Sequence, residues 1–178
     1  MADFRLIFSE SQLKEAILRI SQAIIQAHPA LDSLVFVGVL TRGFPIAERL
    51  SHQILELTGV TIPVGRLDVS LYRDDLLHRE AFVTVRQSDL QFGITDKTVI
   101  LVDDVLFRGR TIRSALTGIS DFGSPDAVEL AVLIDRGGRK LPIFATYVGQ
   151  HVSTTPSDHI QVKLFEIDGC DEIVLITD

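Results

Sequence analysis

"VILVDDVLFRGRT", Val99 to Thr111, drives an apolar run straight into two adjacent aspartates and then into a glycine turn set between two arginines. The run "TVILV" (98–102) is short, continuous and rich in β-branched residues, which predicts a strand buried on both faces. Neighbouring carboxylates at its end repel each other, so they need a bound cation, hydroxyl donors or solvent. On their own, Asp103 and Asp104 are read as readily as a cap and a loop start. The residues beyond them tilt the balance. Gly109 frees the backbone for a tight turn, and Thr111 brings a hydroxyl to the place where a helix should begin. Backbone N–H groups at such a helix start favour an anion. Carboxylates for sugar hydroxyls or a metal, beside an amide cradle for a phosphate, suit a sugar phosphate. The stretch is not a Walker loop, since it lacks the Gly-Lys-Ser/Thr ending, and it is not a G-x-G-x-x-G turn.

On either side, strands and helices alternate. Ser9 followed by Gln12 is a capping-box pattern, and Leu13, Ile17, Ile20 and Ile24 recur at helical spacing, which predicts a helix over 9–27. "LVFVGV" (34–39) predicts a buried strand. "TRGFPIAERLSHQILEL" (41–57) predicts a helix with Pro45 in its first turn and Ala47, Leu50, Ile54 and Leu57 on one stripe. "GRLDVSLY" (65–72) alternates as a half-exposed strand. A helix is expected from Thr111 to about Ile119, and strands in "AVELAVLID" (127–135), "ATYVG" (145–149), "QVKLFEI" (161–167) and "EIVLIT" (172–177). Such alternation predicts an α/β fold with a mostly parallel sheet, whose ligands bind at the carboxyl ends of the strands. That rule points to Thr41–Gly43, Asp103–Thr111 and Asp135–Arg139. The polar, charged stretch from about Tyr72 to Thr95 has the length of a lid or binding loop.

The whole chain bounds these expectations. Its 178 residues suit one domain, and 46% apolar residues suffice for a sizeable core. A net charge of −7 is unlike a generic nucleic-acid binder, so any RNA contact must come from a local patch. The single cysteine, Cys170, cannot form an intrachain disulfide, and no apolar run approaches the roughly 18 residues of a membrane span. A soluble, cytoplasmic protein is expected. His28, His52, His78, His151 and His159 show no metal-ligand spacing.

"VILVDDVLFRGRT" resembles the PRPP-binding motif of type I phosphoribosyltransferases: an apolar strand, two acids, then a Thr-Gly-Arg-Thr-like loop. "LTRGFPIAERL" (40–50), "GRLDVSLYRDDL" (65–76) and "LAVLIDRGGRKLPI" (130–143) narrow the likeness to the PyrR family, uracil phosphoribosyltransferases that also regulate pyrimidine operons by binding mRNA. The resemblance spans nearly the whole chain. It implies a three-layer type I phosphoribosyltransferase fold in a single domain over 1–178. A mostly parallel central sheet would be flanked by helices, with a small hood and a flexible flap at about 72–95.

The resemblance also implies roles. Asp103, Asp104 and Arg42 would form the catalytic set, with the two acids accepting the ribose hydroxyls of PRPP. Val105, Leu106 and Phe107 would lead into the loop Arg108, Gly109, Arg110 and Thr111 around the 5′-phosphate. Thr41, Arg42 and Gly43 would hold the pyrophosphate, where an arginine fork matches phosphate oxygens. Tyr72 and Arg73 would belong to the flap, and Arg136 to the base or nucleotide side. Mg²⁺ would arrive on PRPP with few or no direct protein ligands. The implied partners are PRPP, uracil and UMP, together with a second copy of the chain in a homodimer or higher homo-oligomer. The apolar first helix offers a contact surface.

Two departures stand out against the family pattern. The phosphate loop normally opens with Thr or Ser, and here that residue is Arg108. It can face solvent, add a charge contact to the phosphate, or crowd the loop. The second departure concerns RNA. Gly138 stands where His is usual, Phe144 where Arg is usual and Gln150 where Lys is usual, leaving Arg19, Arg139 and Lys140 as a residual RNA face. Binding of pyr mRNA is therefore expected to be weak or absent. Three other readings compete with the uracil enzyme. They are a nucleotide-sensing mRNA-binding attenuation regulator with little transferase activity, a transferase for another base such as a purine, and a non-catalytic receiver-like module using the acids for Mg²⁺.

Overall fold

A computed structural model describes residues 3–72 and 88–177. Arg73 and most of the stretch expected as a flap lie outside the described residues. The chain runs β1 (Asp3–Phe8), α1 (Glu10–Ala27), β2 (Leu34–Val39), α2 (Gly43–Thr58), β3 (Val64–Leu67), β4 (Thr98–Leu106), α3 (Arg110–Ser120) and β5 (Ala127–Asp135). It continues through β6 (Tyr147–His151), β7 (His159–Lys163), the single turn α4 (Phe165–Asp168) and β8 (Glu172–Thr177). Strands β3-β2-β4-β5-β6 form a parallel five-stranded sheet, and β1-β8-β7 form a separate antiparallel sheet that acts as the hood.

One core lies between the sheet, helices α1 and α2, and the hood. It holds Leu13, Ile17, Ile20 and Ile24 of α1 against Ile100 and Val102 of β4. The second core, on the α3 face, holds Val99, Leu101 and Ile112 together with Ile94. The capping box forms as the sequence implies: the Ser9 N–H donates to Gln12 Oε1 at 2.9 Å, and the Gln12 N–H to Ser9 Oγ at 3.4 Å. Leu13, Ile17, Ile20 and Ile24 of α1 are all buried within the chain, as core residues and not a contact surface.

Several boundaries also move. β1 was not anticipated, although Phe4, Leu6 and Phe8 alternate with Arg5 and Ile7; its partner β8 lies at the other end of the chain. Leu57, expected on the buried stripe of α2, is 47% exposed. The 16 residues of α2 rise about 24 Å, whereas the six of β2 extend about 20 Å, so the last turn overhangs the sheet. β3 ends at Leu67 because Asp68 folds back, accepting the Ser70 N–H at 2.8 Å and starting a 3₁₀ turn. The "QVKLFEI" strand ends at Lys163 for a like reason. The Asp168 and Asp171 carboxylates accept the N–H groups of Leu164 and Phe165 at 2.9 and 2.8 Å and nucleate α4.

Candidate active site

β2, β4 and β5 deliver the three predicted strand ends to one side of the sheet. β4 does not stop at the aspartates but runs through them to Leu106. Strict alternation would place Val105 with Val99 and Leu101. Instead, Val105 packs in the α1–α2 core and Leu106 in the α3 core, although β4 keeps one register with β5 from Thr98 to Leu106. The two carboxylates accept from the backbone here. The Asp104 N–H donates to Asp103 Oδ1 at 3.0 Å, and the Val105 N–H to Asp104 Oδ1 at 2.7 Å. Burial pushes the Asp104 carboxyl above the usual carboxylate range, opposed by the Val105 N–H, the charge of Arg42 and a hydrogen bond with Asp103.

The aspartates stand between two adjoining cavities. One of 240 Å³ holds Asp103 and the run Val105–Ile112. The other, of 770 Å³, lies between Asp104 and the hood, with Arg42, Arg136 and residues 156–162 on its walls. Val105, Phe107 and Arg108 line both. Gly109 caps α3 in the left-handed region (φ 87°), so the first-turn N–H groups of Arg110, Thr111 and Ile112, which lack intrahelical acceptors, stand at the smaller cavity.

At the end of β2, the Leu40–Thr41 peptide is cis, Thr41 is exposed, and α2 starts at Gly43. A Cβ on Gly43 would lie 2.2 Å from the Val102 carbonyl oxygen, so only glycine lets α2 begin against β4. Arg42 reaches the hood: its Nε donates to the Val162 carbonyl at 2.7 Å, and Nη2 bonds the Asp168 carboxylate at 3.1 and 3.2 Å.

At the end of β5, Arg136 is buried and organises the far wall. Nε donates to Thr154 Oγ1, and Nη2 to the carbonyls of Thr155 and Asp158, each at 2.9 Å. Its guanidinium lies 4.0 Å from the Phe107 ring centroid. Arg139 is turned inward, donating to the carbonyls of Phe107 and Ile143 and to Asp135 Oδ2 at 2.5 Å. The Lys140 N–H donates to the Arg108 carbonyl at 3.1 Å, so this loop scaffolds the turn at Arg108–Thr111. Arg19 and the Lys140 side chain are exposed, with Arg19 also donating to the Gly149 carbonyl at 3.0 Å.

Tyr72 packs against α3, where its hydroxyl bonds Asp121 and its carbonyl accepts from Ser114 Oγ at 2.9 Å. Leu90, Phe92 and Ile94, also in the stretch expected as a flap, pack into the α3-side core. The wall formed by Pro156–Val162 had no signal in the sequence. β7 is an edge strand, and what it offers a ligand beside its side chains is backbone N–H and C=O groups, which no motif encodes.

The donor set fits a cation that brings most of its own oxygens. Asp103 and Asp104 supply carboxylates, and among the described residues no group of three His, Cys, Asp or Glu side chains could hold a metal by itself.

A family model described as "Phosphoribosyl transferase domain" matches residues 7–167. A curated protein of Chloroflexus aurantiacus called "Bifunctional protein PyrR" is 48% identical over 176 residues, covering 99% of this chain and 97% of that one. Proteins of the same name from Deinococcus radiodurans and Clostridioides difficile are 45% and 46% identical, each over 95% of this chain and over 92% and 96% of their own. The chain belongs to the PyrR family. Among solved structures, a hypoxanthine-guanine phosphoribosyltransferase from Bacillus anthracis superposes with a TM-score of 0.72 at 22% identity, covering 98% of this chain and 99% of that one. The hypoxanthine phosphoribosyltransferase of Trypanosoma cruzi gives 0.70 at 20%, covering 96% and 95%. These two likenesses establish the type I phosphoribosyltransferase fold.

Proposed function

We propose that this PyrR-family chain is a uracil phosphoribosyltransferase that makes UMP and pyrophosphate from uracil and PRPP. The observation that carries it is the meeting of two cavities at Asp103–Asp104, one with an amide cradle and one walled by the hood. The acids would accept the ribose hydroxyls, the α3 start and Thr111 would hold the 5′-phosphate, and uracil would lie toward β7. Uracil then displaces pyrophosphate at the anomeric carbon through an oxocarbenium-like transition state. The chain's role is to position the reactants and to stabilise charge on the leaving pyrophosphate, for which Arg42 and the Thr41–Gly43 turn are placed. Mg²⁺, bound to the pyrophosphate, would supply charge neutralisation there, with Asp103 and Asp104 as the carboxylates that would face it. Cytoplasmic location, a single domain over 1–178 and a homo-oligomer belong to the same proposal.

Incubation with labelled PRPP and a panel of bases tests it. Turnover with uracil and none with hypoxanthine or guanine is expected; a purine preference or no turnover would overturn it. Pyrimidine-operon regulation through mRNA is the second function the resemblance implies. The inward turn of Arg139 favours the enzyme over a purely RNA-binding regulator. Uracil turnover set against binding of a pyr-leader hairpin separates the two.

A further inference from the structure

Arg108 and Gly138, the departures from the family pattern in two separate loops, meet on one aromatic ring. The Arg108 guanidinium carbon is 5.2 Å from the Phe107 ring centroid, and Arg136 covers the same ring at 4.0 Å. Gly138 closes its edge: a Cβ there would lie 2.5 Å from Phe107 Cε2. The ring is thus held from several sides and gives Arg108 a flat seat through a cation–π contact. Arg108 is exposed, and it lines both cavities. Among the described residues no carboxylate pairs with it, whereas Arg42 and Arg139 are each bound to one and Arg49 to two. Gly109, which follows it, caps the helix whose first N–H groups form the amide cradle.

We propose that Arg108 is a specificity-determining side chain that adds a guanidinium contact to the 5′-phosphate of the ribose ligand, favouring dianionic 5′-phosphates over the unphosphorylated nucleoside. The proposal rests on the phosphoribosyltransferase reading of the site. An arginine in place of a small hydroxyl exchanges a short contact for a planar, permanently charged one. PRPP, the transition state and UMP carry the same 5′-phosphate. The contact is therefore uniform along the reaction: it lowers KM for PRPP and the dissociation constant of UMP together and leaves kcat unchanged.

Calorimetric titrations of UMP, PRPP and uridine into wild type, Arg108→Thr and Arg108→Lys test it. Arg108→Thr is expected to weaken UMP and PRPP by about 10-fold each, the value for a partly exposed charged hydrogen bond. Uridine affinity should not change, and the difference between wild type and variant should shrink with added salt. Arg108→Lys should fall between the two. Unchanged UMP affinity in Arg108→Thr would place the guanidinium in solvent, and improved affinity would make it an obstruction; either overturns the proposal. An equal loss of uridine would mark a damaged site and overturn it too. A wild type that binds neither UMP nor PRPP would overturn the transferase reading itself, an outcome distinct from the others because they all require wild-type binding.

Discussion

Gly138 shows how tightly the two loops are matched. Its φ is 68°, a conformation that L side chains adopt only at a cost, and the space a Cβ would fill is taken by Phe107. Gly138→His is expected to destabilise the fold by about 1–3 kcal/mol in urea unfolding. Adding Phe107→Ala should recover the steric component but not the backbone component, a non-additivity that a double-mutant cycle reads directly. Asp104 sets the role proposed for it against stability. Burial makes its ionisation costlier in the folded chain than in the unfolded one, so the folded state holds the proton to a higher pH. The penalty is absent below the ordinary value of 3.8 and fully present once pH passes the folded value. Asn at this position keeps an acceptor for the Val105 N–H and carries no charge. Asp104→Asn should therefore be more stable than wild type by about 1 kcal/mol at pH 7, with the gap closing toward pH 3. Uracil transfer should fall by about 100-fold or more. The candidate site was legible in the acids and the glycine turn together, because a turn before a helix start narrows what two carboxylates alone leave open. The Phe107 seat was not, since it joins residues whose side chains meet only after two separate loops are placed.

Among the elements, α2 and the hood are joined by charge. Arg49 of α2 bonds Glu166 through Nε and Nη2 at 2.8 and 2.6 Å, and Asp171 through Nη1 and Nη2 at 3.0 and 2.8 Å. Hydrogen bonding to Arg49 holds the Glu166 carboxyl below the usual range. Burial pushes Asp171 up, but Arg49 and the Phe165 N–H outweigh it and the carboxyl also ends low. Acids lowered by folding contribute stability above their unfolded values, and that contribution is lost as pH falls through the folded ones. The hood's attachment should therefore weaken in acid, below about pH 4. Arg49→Ala leaves the Asp171 side chain, 9% exposed, without its cation. It is expected to cost about 2 kcal/mol at pH 7, with the gap to wild type narrowing in acid. Hydrogen exchange should accelerate in β7 and β8 while β2 and β4 keep their protection; uniform acceleration would deny the hood a local attachment. Strands β2, β5 and β8 were read at their observed bounds because apolar runs mark them from end to end. β7 and α4 were blurred into one because carboxylates accepting from the backbone, rather than hydropathy, decide where the strand stops.

The molecule as a whole carries the parallel sheet that alternating strands and helices imply, since a parallel pair needs a crossover and the chain supplies α2 between β2 and β3 and α3 between β4 and β5. The hood was legible only through the family resemblance, because β1 and β8 pair from opposite ends of the chain and no local pattern records it. The same scale governs RNA. Net charge is −7, so affinity for a polyanion depends on how many cations one face can present. Of the three on the resembled face, the Arg139 guanidinium is only 16% exposed and is spent on Asp135 and on backbone carbonyls beneath the phosphate loop. Recruiting it would dismantle the scaffold of the candidate active site. Arg19 and Lys140 remain exposed, and two phosphate contacts give a slope of log affinity against log salt of about −1.5. Filter binding of a pyr-leader hairpin is therefore expected to show micromolar or weaker affinity, a shallow salt slope and little preference over a scrambled hairpin. Lys140→Ala should flatten the slope by about 0.7 and leave uracil transfer unchanged. Submicromolar, sequence-specific binding with a steep salt slope would overturn this and would require a basic surface elsewhere on the chain.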